Sequence, residues 1–117
     1  MKEMHELPWE NLESIKVSKQ LYRLVYRVAK RNRKLLPATA PRMRDAASGI
    51  GGKLARGSVP IGGAARQLRD RSRALKRARF VRKKLHVILS LTQTRDPDIL
   101  AALELVDRVI FLIETGK

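Results

Sequence analysis

The chain has 117 residues, 44% of them hydrophobic but only 4% aromatic, with 26 Lys and Arg against 11 Asp and Glu for a net charge of +15. That hydrophobic share excludes a disordered tail, and a core of Leu, Ile, Val and Ala with few rings suits packed helices better than a sheet, so one all-α domain over residues 1–117 is expected. Cysteine is absent, which removes disulfides, thiolate zinc sites and cysteine nucleophiles together and fits a reducing compartment.

Residues 1–10 read as a lead-in, in which Pro8 and Trp9 set an apolar group before the first helix and Trp9 packs as a lid on a helix end. The spacing predicts a first helix over 11–33, capped by Asn11, because Leu12, Ile15, Leu21, Leu24, Val25, Val28 and Ala29 follow three- and four-residue steps. On its other side Lys16, Lys19, Arg23, Arg27 and Lys30 fall within about a 100° arc at ~100° per residue and form a basic stripe. Leu35-Leu36-Pro37 ends that helix, and Thr39-Ala40-Pro41 starts a second over 41–56, with Thr39 as its cap and Pro41 in its first turn. Met43, Ala47, Ile50 and Leu54 are its apolar stripe. Gly49, Gly51 and Gly52 crowd its middle, at about 1 kcal/mol each against alanine, and allow either close approach of another backbone or a break near Gly51. Gly57 and Ser58 stop it.

After the turn Val59-Pro60-Ile61-Gly62-Gly63, a long helix over 64–91 is free of proline and glycine. Leu68, Leu75, Ala78, Val81, Leu85, Ile88 and Leu89 make a drifting apolar face, opposite Arg66, Arg69, Arg73, Lys76, Arg77, Lys83 and Lys84. Arg71 and Arg82 project to the apolar side, where each must reach solvent or meet an acid, and Glu104, Asp107 and Glu114 are the acids within the last segment. A structural ion pair is expected there. Asp96-Pro97-Asp98 starts a fourth helix over 97–114, with a capping acid, proline in the first turn and a second acid near the positive helix end, and Gly116 is its stop. Ile99, Leu100, Leu103, Leu105, Val106, Val109, Ile110, Phe111, Leu112 and Ile113 cover most of its circumference. A helix so apolar is buried on more than one side, by another subunit or by central placement in its own fold.

Charge is unevenly spread. Residues 1–40 hold nine basic and four acidic residues, 41–90 fourteen and two, and 91–117 three and five. Such asymmetry favours a polyanionic partner, nucleic acid before an anionic membrane surface, over a merely solvated face. Uncharged runs such as 99–103 fall far short of the ~20 residues that span a bilayer, and the acids of MKEMHELPWE replace a signal peptide's apolar core, so a soluble cytoplasmic protein is expected.

No catalytic constellation is legible. His5 and His86 lie in unrelated segments without another ligand at metal spacing. Gly51-Gly52-Lys53 resembles the end of a phosphate-binding loop, but Ala47 stands where the earlier glycine is needed and Leu54 where Ser or Thr belongs. Ser48, Ser58, Ser72 and Ser90 have no histidine partner at recognisable spacing. The expectation is a protein that is not an enzyme and needs no cofactor or metal. Arginine-rich stripes suit phosphate through bidentate forks, and Tyr22, Tyr26 and Phe80 read as core residues, so little direct base readout is expected.

Three segments carry a family resemblance. RDAASGIGGKLARG, residues 44–57, resembles R-x-A-A-x-x-I-x-x-x-I-A-E-G through Arg44, Ala46, Ala47, Ile50, Ala55 and Gly57, with Leu54 for an isoleucine and Arg56 where an acid is usual. Leu36-Pro37 resembles an F-P before that helix, and ALKRARFVRKKLHVILSLT, with Arg79-Phe80, is similar to a basic and aliphatic third helix around an R-F. The family is the bacterial four-helix-bundle group of ribosomal-RNA intervening-sequence proteins and of the accessory variability determinant (Avd) of diversity-generating retroelements. The resemblance implies an antiparallel up-down four-helix bundle, assembled as a barrel-like homopentamer that would explain the apolar fourth helix. Arg56 and the extra positive charge favour the Avd branch, whose members partner a reverse transcriptase and its template RNA through a basic surface. In this reading RNA, or DNA, meets Lys16, Lys19, Arg23, Arg27, Lys30, Arg66, Arg69, Arg73, Lys76, Arg77, Lys83 and Lys84. The alternatives are an intervening-sequence-type protein, an oligomeric scaffold docking an acidic protein, and a membrane-surface protein, which the lack of an aromatic-rich apolar face disfavours.

Overall fold

The computed structural model describes residues 13–57, 63–92 and 96–115. All the secondary structure among them is helical, in α1 (Glu13–Arg31), α2 (Thr39–Gly57), α3 (Gly63–Thr92) and α4 (Pro97–Glu114). Their described limits lie within two residues of 11–33, 41–56, 64–91 and 97–114. The readings placed on Trp9, Asn11, Ser58 and Gly116 lie outside the described residues.

Local chemistry accounts for the ends. Asp96 caps α4: its Oδ1 accepts from the Asp98 N–H at 2.9 Å, and Pro97 follows where no N–H is needed. α1 closes on Asn32, whose backbone N–H and side-chain Nδ2 both donate to the Val28 carbonyl, at 3.1 and 2.9 Å. Leu36 N–H then bonds the Asn32 carbonyl and Ala40 N–H the Leu36 carbonyl, each at 2.9 Å, so the connection to α2 is a chain of single turns. α2 runs unbroken through Gly49, Gly51 and Gly52, which settles that open choice for a continuous helix.

Each helix packs on the next and α4 closes back on α1, whereas α1 and α3, like α2 and α4, stand across the core and are not neighbours. Glu13 at the start of α1 meets Arg108 late in α4, and Arg31 at the end of α1 meets Asp96 and Asp98, so these two helices run in opposite directions. The core is aliphatic: Leu21, Val25 and Val28 meet Met43, Ile50, Val81, Leu85, Ile88, Ile99, Val106 and Val109, all fully buried. Each large side chain so buried contributes about 1.5–3 kcal/mol. Ala47, Ala74 and Ala78 are buried beside them, small enough to let α2 and α3 approach closely.

Two expectations about burial change. Leu68, assigned to the apolar face of α3, is 67% exposed. Most of α4's apolar set is taken up by the chain's own core: Ile99, Ala102, Val106, Val109, Ile110, Leu112 and Ile113 are buried and Leu103 and Leu105 half-buried. Only Leu100 and Phe111 among its large hydrophobic residues stay exposed, Phe111 at 61%.

Candidate nucleic-acid interface

All twelve cations expected to meet a polyanion lie at the surface: Arg77 and Lys84 are half-buried and the other ten exposed. They do not form one two-helix stripe. Because α1 and α3 are diagonal in the ring, α2 separates their basic faces. Arg42, Arg44, Lys53 and Arg56 of α2 stand between them, and these four are not among the twelve. The signal for them was present in α2 itself, where Asp45 is the one acid in 39–57.

The seam between α2 and α3 is crowded with positive charge. Lys53 has its pKa lowered, first by partial burial and then by Arg56, Arg73 and Arg77, with Asp70 opposing. Arg77 lies across the α2 backbone at Gly49, its Nη1 donating to the Asp45 carbonyl at 3.2 Å. A side chain at 49 would collide there, since a Cβ would stand 2.7 Å from the Arg77 Cζ. Asp70, the only acid between Asp45 and Asp96, is turned inward at 4% exposure, and its Oδ2 has no hydrogen-bond partner among the described residues. The outer face of α3 therefore displays cations with no acid among them. Lys84 is engaged locally, its Nζ 5.4 Å from the centre of the Phe80 ring.

Acids gather on the opposite side. Every ion pair between helices among the described residues includes α4 or its capping Asp96: Arg31 with Asp96 at 2.8 Å and Asp98 at 3.0 Å, Arg27 with Asp98 at 4.0 Å, Arg79 with Glu114 at 3.6 Å, Arg82 with Asp107 at 3.4 Å, and Arg108 with Glu13 at 2.8 Å. Arg82 thus makes the expected pair, but at the surface, where such a bond is worth about 0–1 kcal/mol. Arg71 is half-buried and has no acid partner among the described residues, so the pairing expected of it is not made. Arg27, Arg31, Arg79 and Arg82 beside α4 are paired, while Lys19, Arg23 and Lys30 on α1 and Arg33 just beyond its end have no acid partner among the described residues.

The third difference concerns the tyrosines. Tyr22, like Phe80, is half-buried and packed against the core, but Tyr26 is 44% exposed and is not a core residue. Both tyrosines sit beside the α1–α2 seam, where Ala40, Ala47, Ser48 and Gly51 leave two shallow grooves along one line. One groove is bordered by Lys19 and Arg23, the other by Lys30, Arg33 and Arg44. Lys19 and Arg23 are one helical turn apart, about 6 Å, which is inside the ~8 Å screening length of physiological salt, so their fields add.

Among the described residues no helix is long and apolar enough to cross a membrane. In comparison with known proteins, no family model matches this chain, and no curated protein matches it either.

Proposed function

We propose that this protein binds nucleic acid through phosphate contacts spread over the outer faces of α1, α2 and α3, in a non-catalytic role. The observation that carries the reading is the segregation of charge: acids collect on α4, each within reach of a basic partner except Glu104, while on the outer faces of α2 and α3 Asp45, paired with Arg44, is the one exposed acid among many cations. Self-repulsion among so many cations opposes folding, and a polyanion relieves it. Counterion release then makes the affinity salt-dependent.

The finer reading follows from the resemblance in 44–57 and 74–92. In it the helices form an antiparallel up-down four-helix bundle, supported by the short connections, the closed ring of neighbours and the opposed α1 and α4. Five copies assemble in the cytoplasm as an accessory to a reverse transcriptase and its template RNA in a diversity-generating retroelement. Exposed Leu100 and Phe111 support a self-association surface on α4. A reverse transcriptase gene and a template repeat beside this gene test the retroelement branch against the ribosomal intervening-sequence branch, and light scattering tests the pentamer.

The binding test is a salt series with labelled RNA on the intact chain and on a variant with Lys19, Arg23, Arg73 and Lys76 all changed to Gln. Each single-strand phosphate contact contributes about 0.7 to the log–log salt slope, so the variant binds more weakly with a slope flatter by up to about 3. An unchanged affinity and slope in a folded variant refutes the reading, and binding to an acidic protein with none to RNA favours the scaffold alternative.

A further inference from the structure

The two tyrosines on α1 are the feature that phosphate binding alone leaves unexplained. Their ring centres are 6.3 Å apart with the planes inclined at 57°, a tilted arrangement in which neighbouring rings support one another. A base does not fit between two rings so inclined. Tyr22 is half-buried against the core and props Tyr26, whose ring stands out beside the cationic seam at 44% exposure. Of the four Tyr and Phe, Tyr26 and Phe111 are exposed, and Phe111 stands on α4, away from the α1–α2 seam. Each tyrosine borders one of the two grooves, Tyr22 with Lys19 and Arg23, Tyr26 with Lys30 and Arg33. From Lys19 to Lys30 the helix rises about 17 Å at 1.5 Å per residue, with Arg33 just beyond its end, room for several nucleotides of a strand laid along it. Small residues of α2 keep the opposite wall low: Gly51 and Ser18 are in such close approach that a Cβ on Gly51 would lie 3.3 Å from the Ser18 Oγ.

Resting on the nucleic-acid reading above, we propose that the α1–α2 seam binds single-stranded nucleic acid, one base stacked on Tyr26 and the flanking phosphates held by Lys19, Arg23, Lys30 and Arg33. Charge complementarity selects a polyanion, and the exposed ring between the cations selects one with unpaired bases over a duplex, whose bases are already stacked on each other. Stacking on a ring is tolerant of sequence because every base has a π-face. The seam therefore discriminates strandedness and not sequence.

The experiment measures anisotropy of a labelled oligouridine strand, a labelled RNA duplex of equal length, and displacement of each by inorganic polyphosphate, with the full chain and the variants Tyr26→Leu, Tyr26→Gln and Tyr26→Phe. The ring-free variants lose on the order of tenfold in single-strand affinity, within the range found for removing one base-stacking side chain, while Tyr26→Phe retains it and polyphosphate binding is the same in all. Equal single-strand affinity in the intact chain and in both ring-free variants overturns the proposal and leaves the phosphate reading standing, as does a loss of polyphosphate binding parallel to that of the strand. Failure of the intact chain to bind any nucleic acid overturns both. Two ring-free replacements of different polarity, each checked for unchanged helicity, separate loss of the ring from damage to the fold.

Discussion

The three glycines of α2 make a quantitative test of how that helix is packed. In a helix interior, replacing glycine by alanine gains about 1 kcal/mol if the new methyl group meets nothing. At Gly52 it meets nothing within 4 Å, so Gly52→Ala takes the full gain, which for a chain of this length raises Tm by about 4 °C. At Gly51 the methyl group would stand 3.3 Å from the Ser18 Oγ, and that hydroxyl is fixed by donating to the Ile15 carbonyl at 2.7 Å. A few tenths of an ångström must be found there, and most of the gain is lost. At Gly49 the methyl group would displace the Arg77 guanidinium and break its bond to the Asp45 carbonyl, a loss of about 1 kcal/mol that cancels the propensity term. Thermal unfolding followed by circular dichroism reads the three variants. In an Arg77→Ala background the obstacle is gone, so Gly49→Ala regains the full ~1 kcal/mol. A Gly49→Ala variant as stabilised as Gly52→Ala in the native background, or a destabilised Gly52→Ala, would show that α2 does not pack as described.

Asp96 has two duties, and its variants divide them. Asp96→Ala removes both the cap of α4 and one of Arg31's two partners and destabilises by about 1–2 kcal/mol, whereas Asp96→Asn keeps the cap and costs less than half as much in urea unfolding. Lys53 is held below its ordinary value of 10.5 by partial burial and its cationic neighbours, so its charged form is disfavoured in the fold. That penalty is fully present below the lowered pKa and fades as pH rises towards 10.5. Lys53→Gln therefore stabilises the chain at neutral pH, the gain shrinks on raising the pH or the salt, and a destabilised variant contradicts the crowding described around Arg56, Arg73 and Arg77. Phe111→Glu, made at a position 61% exposed on α4, reduces the mass measured by light scattering without lowering helicity; an unchanged mass removes Phe111 from any contact between copies.

Elements written into neighbouring residues were readable from the sequence. Asp96-Pro97-Asp98 marks a helix start through bonds that never leave those residues, and the spacing of Met43, Ala47, Ile50 and Leu54 names a buried stripe that is buried. Such patterns fix the angle of a side chain about its own helix axis. They do not say which helix lies at that angle, and each later difference has this origin. The basic faces of α1 and α3 look parallel on two helical wheels but are parted by α2 in the ring. Tyr22 and Tyr26 flank an aliphatic stripe, so a wheel places them at the edge of the core; which α2 residues face them, Ala40 and Pro41 beside Tyr26 and Ala47, Ser48 and Gly51 beside Tyr22, is set by the packing of α1 on α2, and Tyr26 stays 44% exposed. Arg82 finds Asp107 across the α3–α4 seam and Arg71, on the same side of the helix, finds no acid among the described residues, a distinction set by the register of two helices.

The sequence by itself determined that the described residues are helical, over roughly which stretches, and that the middle of the chain is strongly cationic, because caps, prolines, periodicity and charge are local properties. Only the tertiary structure decided that the acids of α4 neutralise its two flanks and leave the seams of α2 cationic, with a tyrosine standing in one of them, because that depends on which helices become neighbours.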